Sequence, residues 1–191
     1  HIGTWAMMSY FGRINYNFQE KYLLEANVRY DGSSRLAPEK RWRAFPSVSA
    51  AWRISEEKWF KNIDWLSSLK LRASWGQLGN GAVVGLYDYL PLISYEQNNK
   101  PATYQGEKWF YQDSMASKDK TWEIIETTNL GIDFGFLNNR LTGSFEYYWK
   151  YNNEMLSNLQ LPSQIGIKVP KMNVGKLKTW GWDFNISWKD Q

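Results

Sequence analysis

Between Ser9 and Arg35 the sequence SYFGRINYNFQEKYLLEANVRYDGSSR holds two long runs of strict alternation joined by a short polar break. Successive side chains of a strand point to opposite faces. A period of two therefore assigns Tyr10, Gly12, Ile14, Tyr16 and Phe18 to one face, and Phe11, Arg13, Asn15 and Asn17 to the other. In the second run Leu24, Ala26, Val28 and Tyr30 oppose Glu25, Asn27, Arg29 and Asp31. A loop of Gln19, Glu20 and Lys21 would pair Phe18 with Tyr22 and carry both faces unbroken through the turn. The element is a β-hairpin with one aromatic, apolar face and one face of charges and amides. Two architectures accept it: a half-solvated sheet in a soluble sandwich, or a membrane barrel with lipid outside and water inside.

The remaining chain repeats the pattern. Strands are predicted over Thr4–Phe18, Tyr22–Asp31, Phe45–Ser55, Leu69–Gln77, Trp122–Phe136, Leu141–Tyr151 and Leu177–Lys189, seven in all. Asn138-Asn139 supplies a second tight turn, because Asn tolerates positive φ. Between the third and fourth strands, Trp59, Phe60, Ile63 and Leu66 fall at helical spacing. They predict a short amphipathic helix over Glu56–Ser68 with Ser55 as N-cap. The stretch from Leu78 to Lys120 shows no sustained alternation, and a second long loop is expected over Asn152–Lys176.

These connections sort by length, long at one end of the sheet and short or compact at the other. Outer-membrane barrels show this asymmetry, with short turns on the periplasmic side and long loops outside. Aromatic placement agrees: Phe18, Tyr22 and Trp188 fall near the short-turn end, and Trp75, Trp149, Trp180 and Trp182 near the long-loop end. Arg13, Arg29, Arg53 and Arg72 all fall on the polar face, and Glu126 is the clear charged exception on the apolar one.

Composition narrows the choice further. Aromatics make up 17% of 191 residues, with 12 Trp and 12 Tyr, more bulky aromatic surface than one soluble core of this length needs. Mean hydropathy is nevertheless −0.59, and no run approaches the ~20 apolar residues of a spanning helix. A helical membrane protein is excluded; a barrel, only half apolar per strand, is not. Cysteine is absent and the one histidine is His1, so no metal site, cofactor or catalytic constellation is expected. Lys and Arg are scattered and the net charge is only +4, which gives no support to nucleic acid as a partner. The opening HIGTWAMM lacks the layout of a signal peptide, and ISWKDQ stops directly after a strand. An exported protein with this sequence is expected to be a fragment.

The segments SYFGRINYNFQEKYLLEANVRYDGSSR, FPSVSAAWRISEE, LKLRASWGQLGN, WEIIETTNLGIDFGFLNNRLTGSFEYYWK and NVGKLKTWGWDFNISW closely resemble consecutive blocks of the SusC/RagA family of TonB-linked outer-membrane transporters of Bacteroidota. The resemblance implies a barrel of about 22 strands with a plugged lumen. It also implies energy from the TonB complex acting through the plug, and a SusD-like surface lipoprotein closing the mouth over an oligosaccharide or peptide solute. Residues 1–191 are then one partial barrel domain, an internal piece of the C-terminal half without plug, TonB box or final strand. An open, curved antiparallel sheet with two unpaired edges is expected, since seven strands do not close such a barrel.

Candidate functional residues follow from the faces. Arg13, Asn15, Glu25, Asn27, Arg29, Arg53 and Arg72 are the lumen-facing candidates, and Tyr10, Ile14, Tyr16, Leu24, Val28 and Tyr30 should meet outer-membrane lipid. In the long loop, Tyr104, Trp109 and Tyr111 are the foremost candidates for ligand contact, among Tyr87, Tyr89, Tyr95 and Phe110, since such rings stack on sugars. Glu25, Asp31, Glu146 and Asp183 are the carboxylates from which a glycosidase pair would have to come; solvated residues paired with arginines explain them better. The Gly and Ser of DGSSR and WGQLGN lack phosphate-loop spacing and read as turns. The favoured function is nutrient import, with no enzymatic activity. A passive porin or structural barrel and a soluble, aromatic-rich carbohydrate-binding β-sandwich are the alternatives.

Overall fold

The computed structural model describes residues 3–60, 63, 65–82, 84–97, 100, 101, 103, 104, 107, 108, 110–112, 114–159, 162 and 167–190. Its body is one antiparallel sheet of seven strands: β1 (Met7–Phe18), β2 (Tyr22–Ser33), β3 (Trp42–Arg53), β4 (Leu66–Asn80), β5 (Glu123–Phe136), β6 (Leu141–Ser157) and β7 (Met172–Trp188). Each strand pairs with its neighbours in chain order, so the sheet is an up-and-down meander with β1 and β7 at its edges. Among the described residues no helix is long and apolar enough to cross a membrane.

Phe18 pairs with Tyr22, as the alternation requires. Gln19 and Glu20 take left-handed conformations (φ 52° and 58°), Lys21 N donates to Phe18 O at 3.0 Å, and Glu20 N donates to Asn17 Oδ1 at 2.9 Å. At the second tight turn the left-handed stretch comprises Leu137, Asn138 and Asn139. Leu137 is the costly member there, because its Cβ crowds the following carbonyl.

Register turns the two faces into continuous rows. Tyr16, Leu24, Ala50, Ala73, Leu130, Tyr147 and Trp182 form one row across all seven strands, and Phe18, Tyr22, Trp52, Leu71, Ile132, Phe145 and Phe184 form the next. Most of the large side chains in both rows are exposed: Leu24 is 48% accessible, Leu130 47% and Trp182 66%. A sheet that displays its apolar face to this extent is not half of a sandwich.

The packed core lies at the long-loop end. Leu36, Phe45, Val84, Trp122 and Ile124 are all buried there, with Leu156 against them. β3 and β4 pair only from Ser47–Gly76 down to Arg53–Lys70, and Phe45 packs against β4 beyond that point. Gly79 is required opposite it, since a Cβ there would stand 2.0 Å from the Phe45 ring. Trp122 meets Phe45 edge-on at 5.5 Å and donates Nε1–H to the Arg41 carbonyl at 3.0 Å. Arg35 binds the Ala82 and Val84 carbonyls, and Asp88 accepts from Gly85 N and Lys120. These bonds tie the base of the long loop to the 34–41 segment.

Three predictions change. Among the described residues of Glu56–Ser68 no α-helix is present: a 3-10 turn at Ile54–Glu56 is followed by i→i+3 bonds from Phe60 to Glu57 and from Ile63 to Phe60. β4 already begins at Leu66, because pairing with Phe136 satisfies its backbone groups better than a last helical turn. The second long loop is shorter than expected, since the β6–β7 ladder continues through register shifts to Ser157–Met172. The 78–120 stretch carries small two-residue ribbons, such as Ile93–Ser94 with Tyr111–Gln112.

The link after β3 is held by one carboxylate. Glu57 accepts from the Tyr22 hydroxyl at 2.8 Å, Lys21 Nζ at 3.1 Å and Trp52 Nε1 at 3.3 Å. The Tyr22 hydrogen bond, followed by that of Lys21, holds the Glu57 carboxyl below its ordinary value. A depressed carboxylate contributes stability above its unfolded pKa and loses it as pH falls through the folded one. Acidification below the ordinary glutamate range should therefore loosen this link, seen as faster amide exchange over residues 54–60, and Glu57→Gln should remove that pH dependence.

Candidate functional site

The polar face is a wall of paired charges. On β1 and β2, Arg13 Nη2 meets Glu25 Oε2 at 2.6 Å and Asn27 donates to Glu25 Oε1 at 2.8 Å. With its amide turned to suit both neighbours, Asn15 donates to Glu25 at 3.0 Å and accepts from Arg13 Nε at 3.2 Å. Four of the lumen candidates thus form one cluster around Glu25. Arg29 lies further along β2, bound at 2.9 Å to Asp31, which is 3% exposed. Arg53 stands apart at the short-turn end, 3.7 Å from Glu20.

Arg72 organises a second cluster. Its Nε and Nη2 donate to the two Asp133 oxygens, both at 2.9 Å, and Nη2 also reaches Glu146 Oε1 at 2.6 Å. Asn129 holds the other Glu146 oxygen at 3.1 Å, and Lys70 approaches Asp133 at 3.9 Å. The register makes this possible, because Arg72, Gly131 and Glu146 lie side by side on consecutive strands. Gly131 leaves room for the guanidinium to cross, since a Cβ there would stand 3.1 Å from Nη2.

Between the clusters lies a depression of about 540 Å³ whose polar lining includes Asn15, Glu25, Ser49, Lys70, Arg72, Ser74 and Asn129. It offers carboxylate, guanidinium, ammonium, amide and hydroxyl groups on one rigid sheet, the donors and acceptors that bind a polyhydroxylated or peptidic surface. Asp133, Asn129, Lys70, Ser49 and Ser74 were missed as site residues. Continuing the period-two assignment across every predicted strand and noting Gly131 is the signal that finds them.

The loop aromatics divide. Tyr87 donates to the Thr4 carbonyl at 3.3 Å, and Tyr89 lies 3.5 Å from Arg41 Nη2, so both serve the loop's own packing. Tyr95 and Phe110 are exposed, and Tyr111 is half-buried on the ribbon with Ser94. Tyr104 pairs through its backbone with Glu107, and Trp109 lies outside the described residues. Of the four carboxylates weighed as an acid–base pair, Glu25, Asp31 and Glu146 are each held by an arginine, and Asp183 stands beside Glu146 in the ladder.

The family model described as "TonB dependent receptor-like, beta-barrel" matches residues 3–190. The chain belongs to the TonB-dependent receptor β-barrel family. It is 37% identical over 187 residues to TonB-dependent receptor SusC of Bacteroides thetaiotaomicron, a match covering 96% of this chain and 18% of SusC. TonB-dependent receptor P39 of Formosa agariphila is 32% identical over 186 residues, covering 97% of this chain and 17% of that receptor. Among solved structures, a chain of the RagAB peptide importer in its closed-closed state superposes with a TM-score of 0.83 at 29% identity, covering 95% of this chain and 19% of the other. The chain thus spans less than a fifth of the length of these relatives. The sheet is a wall segment of a TonB-dependent receptor barrel, located in the outer membrane, with one aromatic and one ion-paired face.

Proposed function

We propose that this segment is part of an energised importer that carries glycans or peptides across the outer membrane. In this reading TonB drives the receptor through its plug, and a SusD-like surface lipoprotein covers the long-loop end. The observation that carries the proposal is the coincidence of the RagAB-like superposition with an inward wall of ion-paired and amide side chains. Arg13, Asn15, Glu25, Asn27, Arg29, Arg53 and Arg72 are the segment's proposed contacts to plug or solute, with Tyr104, Trp109 and Tyr111 as loop contacts.

The test is uptake of labelled oligosaccharides and peptides by cells carrying the full-length receptor. Uptake should require TonB, whereas accumulation that persists without TonB would favour a passive pore and sink the proposal. A charged hydrogen bond is worth ~1.5–3 kcal/mol. Arg72→Met should therefore lower uptake about tenfold or more while the receptor still assembles.

A further inference from the structure

The ladder between β3 and β4 stops at Ser47–Gly76. Beyond that point, toward the long-loop end, lies a cavity of about 200 Å³ whose lining includes Asn27, Arg29 and Asp31 of β2, Phe45 and Ser47 of β3, and Leu78 of β4. Register places all six on the polar face. The cavity is separate from the larger depression between the two ion-paired clusters, since no residue lines both. Its polar groups are an amide, a guanidinium, a carboxylate and a hydroxyl, and Phe45 and Leu78 give it an apolar wall.

One of these groups is left unsatisfied inside the sheet. Arg29 Nη2 donates to Asp31 Oδ2 at 2.9 Å, while Asp31 Oδ1 is buried and has no protein partner. Asp31 stands between Ser9 and Arg43 in the ladder, so both of its neighbouring strands are present and neither supplies a donor. A buried acceptor without a partner keeps its desolvation cost until a donor arrives. The last torsion of an aspartate is broad, so a small rotation of the carboxylate presents that oxygen to the cavity. Arg29 is half-exposed, and among the described residues Asp31 is the one acceptor its guanidinium meets.

The Arg29–Asp31 pair is already neutral, so the cavity has no need of a charged occupant. An acceptor beside a free donor matches two adjacent hydroxyls, one donating to the carboxylate and the other accepting from the guanidinium. A peptide group presents its N–H and C=O on opposite edges and meets only one of the two at a time. An apolar cavity of about 150 Å³ takes a benzene ring; the space here has room for one six-membered ring with its hydroxyls. We infer that this cavity binds one pyranose ring of a neutral oligosaccharide, with vicinal hydroxyls on Arg29 and Asp31 and the C–H face of the ring against Phe45 and Leu78. The inference rests on the reading of the polar face as the inner wall of an importer, and it names a glycan as the solute held there.

The test uses the full-length receptor in mild detergent, with neutral hexasaccharides of glucan, mannan and galactan and uncharged peptides of similar mass as probes. Titration calorimetry should detect binding of at least one hexasaccharide. Arg29→Gln/Asp31→Asn replaces the ion pair by two amides and leaves no charge unpaired; it should weaken that binding about tenfold, the weight of a hydrogen bond to a charged group. Ser47→Cys puts a thiol on the cavity wall. A small thiol reagent should label it above the wild-type background, and the bound hexasaccharide at saturation should slow the labelling, whereas the peptides should not. Absence of hexasaccharide binding, equal affinity in the double variant, or labelling indifferent to saturating hexasaccharide would each overturn the inference. Protection by peptide instead would assign the cavity to peptides, and no labelling of the unliganded receptor would assign it to another part of the receptor; both also overturn it. None of these results touches the importer reading while uptake still requires TonB, and TonB-independent uptake sinks that reading alone. Heat-modifiable migration of each variant verifies that the barrel has assembled.

Discussion

Trp122→Ala in the full-length receptor should destabilise the long-loop end by about 3–5 kcal/mol, the usual cost of removing a large aromatic from a packed core. Trp122 is 1% exposed, packs on Phe45 and lies against Gly81, where a Cβ would stand 2.8 Å from its ring. Its loss also strips the Arg41 carbonyl of the Nε1–H donor. The damage should be local, because the strand rows below share no side chain with this core. Amide exchange is the measurement: the 34–41 segment and the ends of the 78–120 loop should lose protection, while β2 and β5 near Leu24 and Leu130 keep theirs. Unchanged loop protection would show that the core does not hold the loops.

Leu130→Arg should be nearly as costly, at about 2–4 kcal/mol, because it places a charge near the middle of the lipid-facing band. Leu130 lies in the row with Ala73 and Tyr147 and is 47% exposed on the aromatic face. Ser49→Arg, one residue from Ala50 in that row but on the opposite face, should change stability by less than about 0.5 kcal/mol, since it stands across from Glu25 in the polar wall. Equilibrium unfolding in lipid vesicles gives both numbers. A larger penalty for Ser49→Arg would mean that the two faces have been assigned to the wrong solvents, and equal penalties that the faces do not differ in solvent.

The strands were legible because alternation survives at every membrane depth, and a one-residue slip would turn Arg13 or Arg72 toward lipid. Where the pattern stops, legibility stops. Trp59, Phe60, Ile63 and Leu66 sit at helical spacing, but Tyr22 and Lys21, 35 and 36 positions away, join the nearby Trp52 in pinning Glu57 among tight turns. The continuation of β6 and β7 to Ser157 and Met172 runs through register shifts that carry no period. The polar face could be read residue by residue. Its clusters could not, because Arg72 finds Asp133 and Glu146 from 61 and 74 positions away.

The hairpin from Ser9 to Arg35 shows where the division falls. Its strands, its turn at Gln19 to Lys21 and the sorting of its faces follow from the sequence alone, because backbone pleating makes side-chain direction a matter of parity. The tertiary structure decided what each face touches. Pairing across the seven strands joined separate apolar positions into rows and brought Arg72 within reach of Asp133 and Glu146. Contacts between residues far apart in the chain depend on register and strand count, which no local pattern encodes.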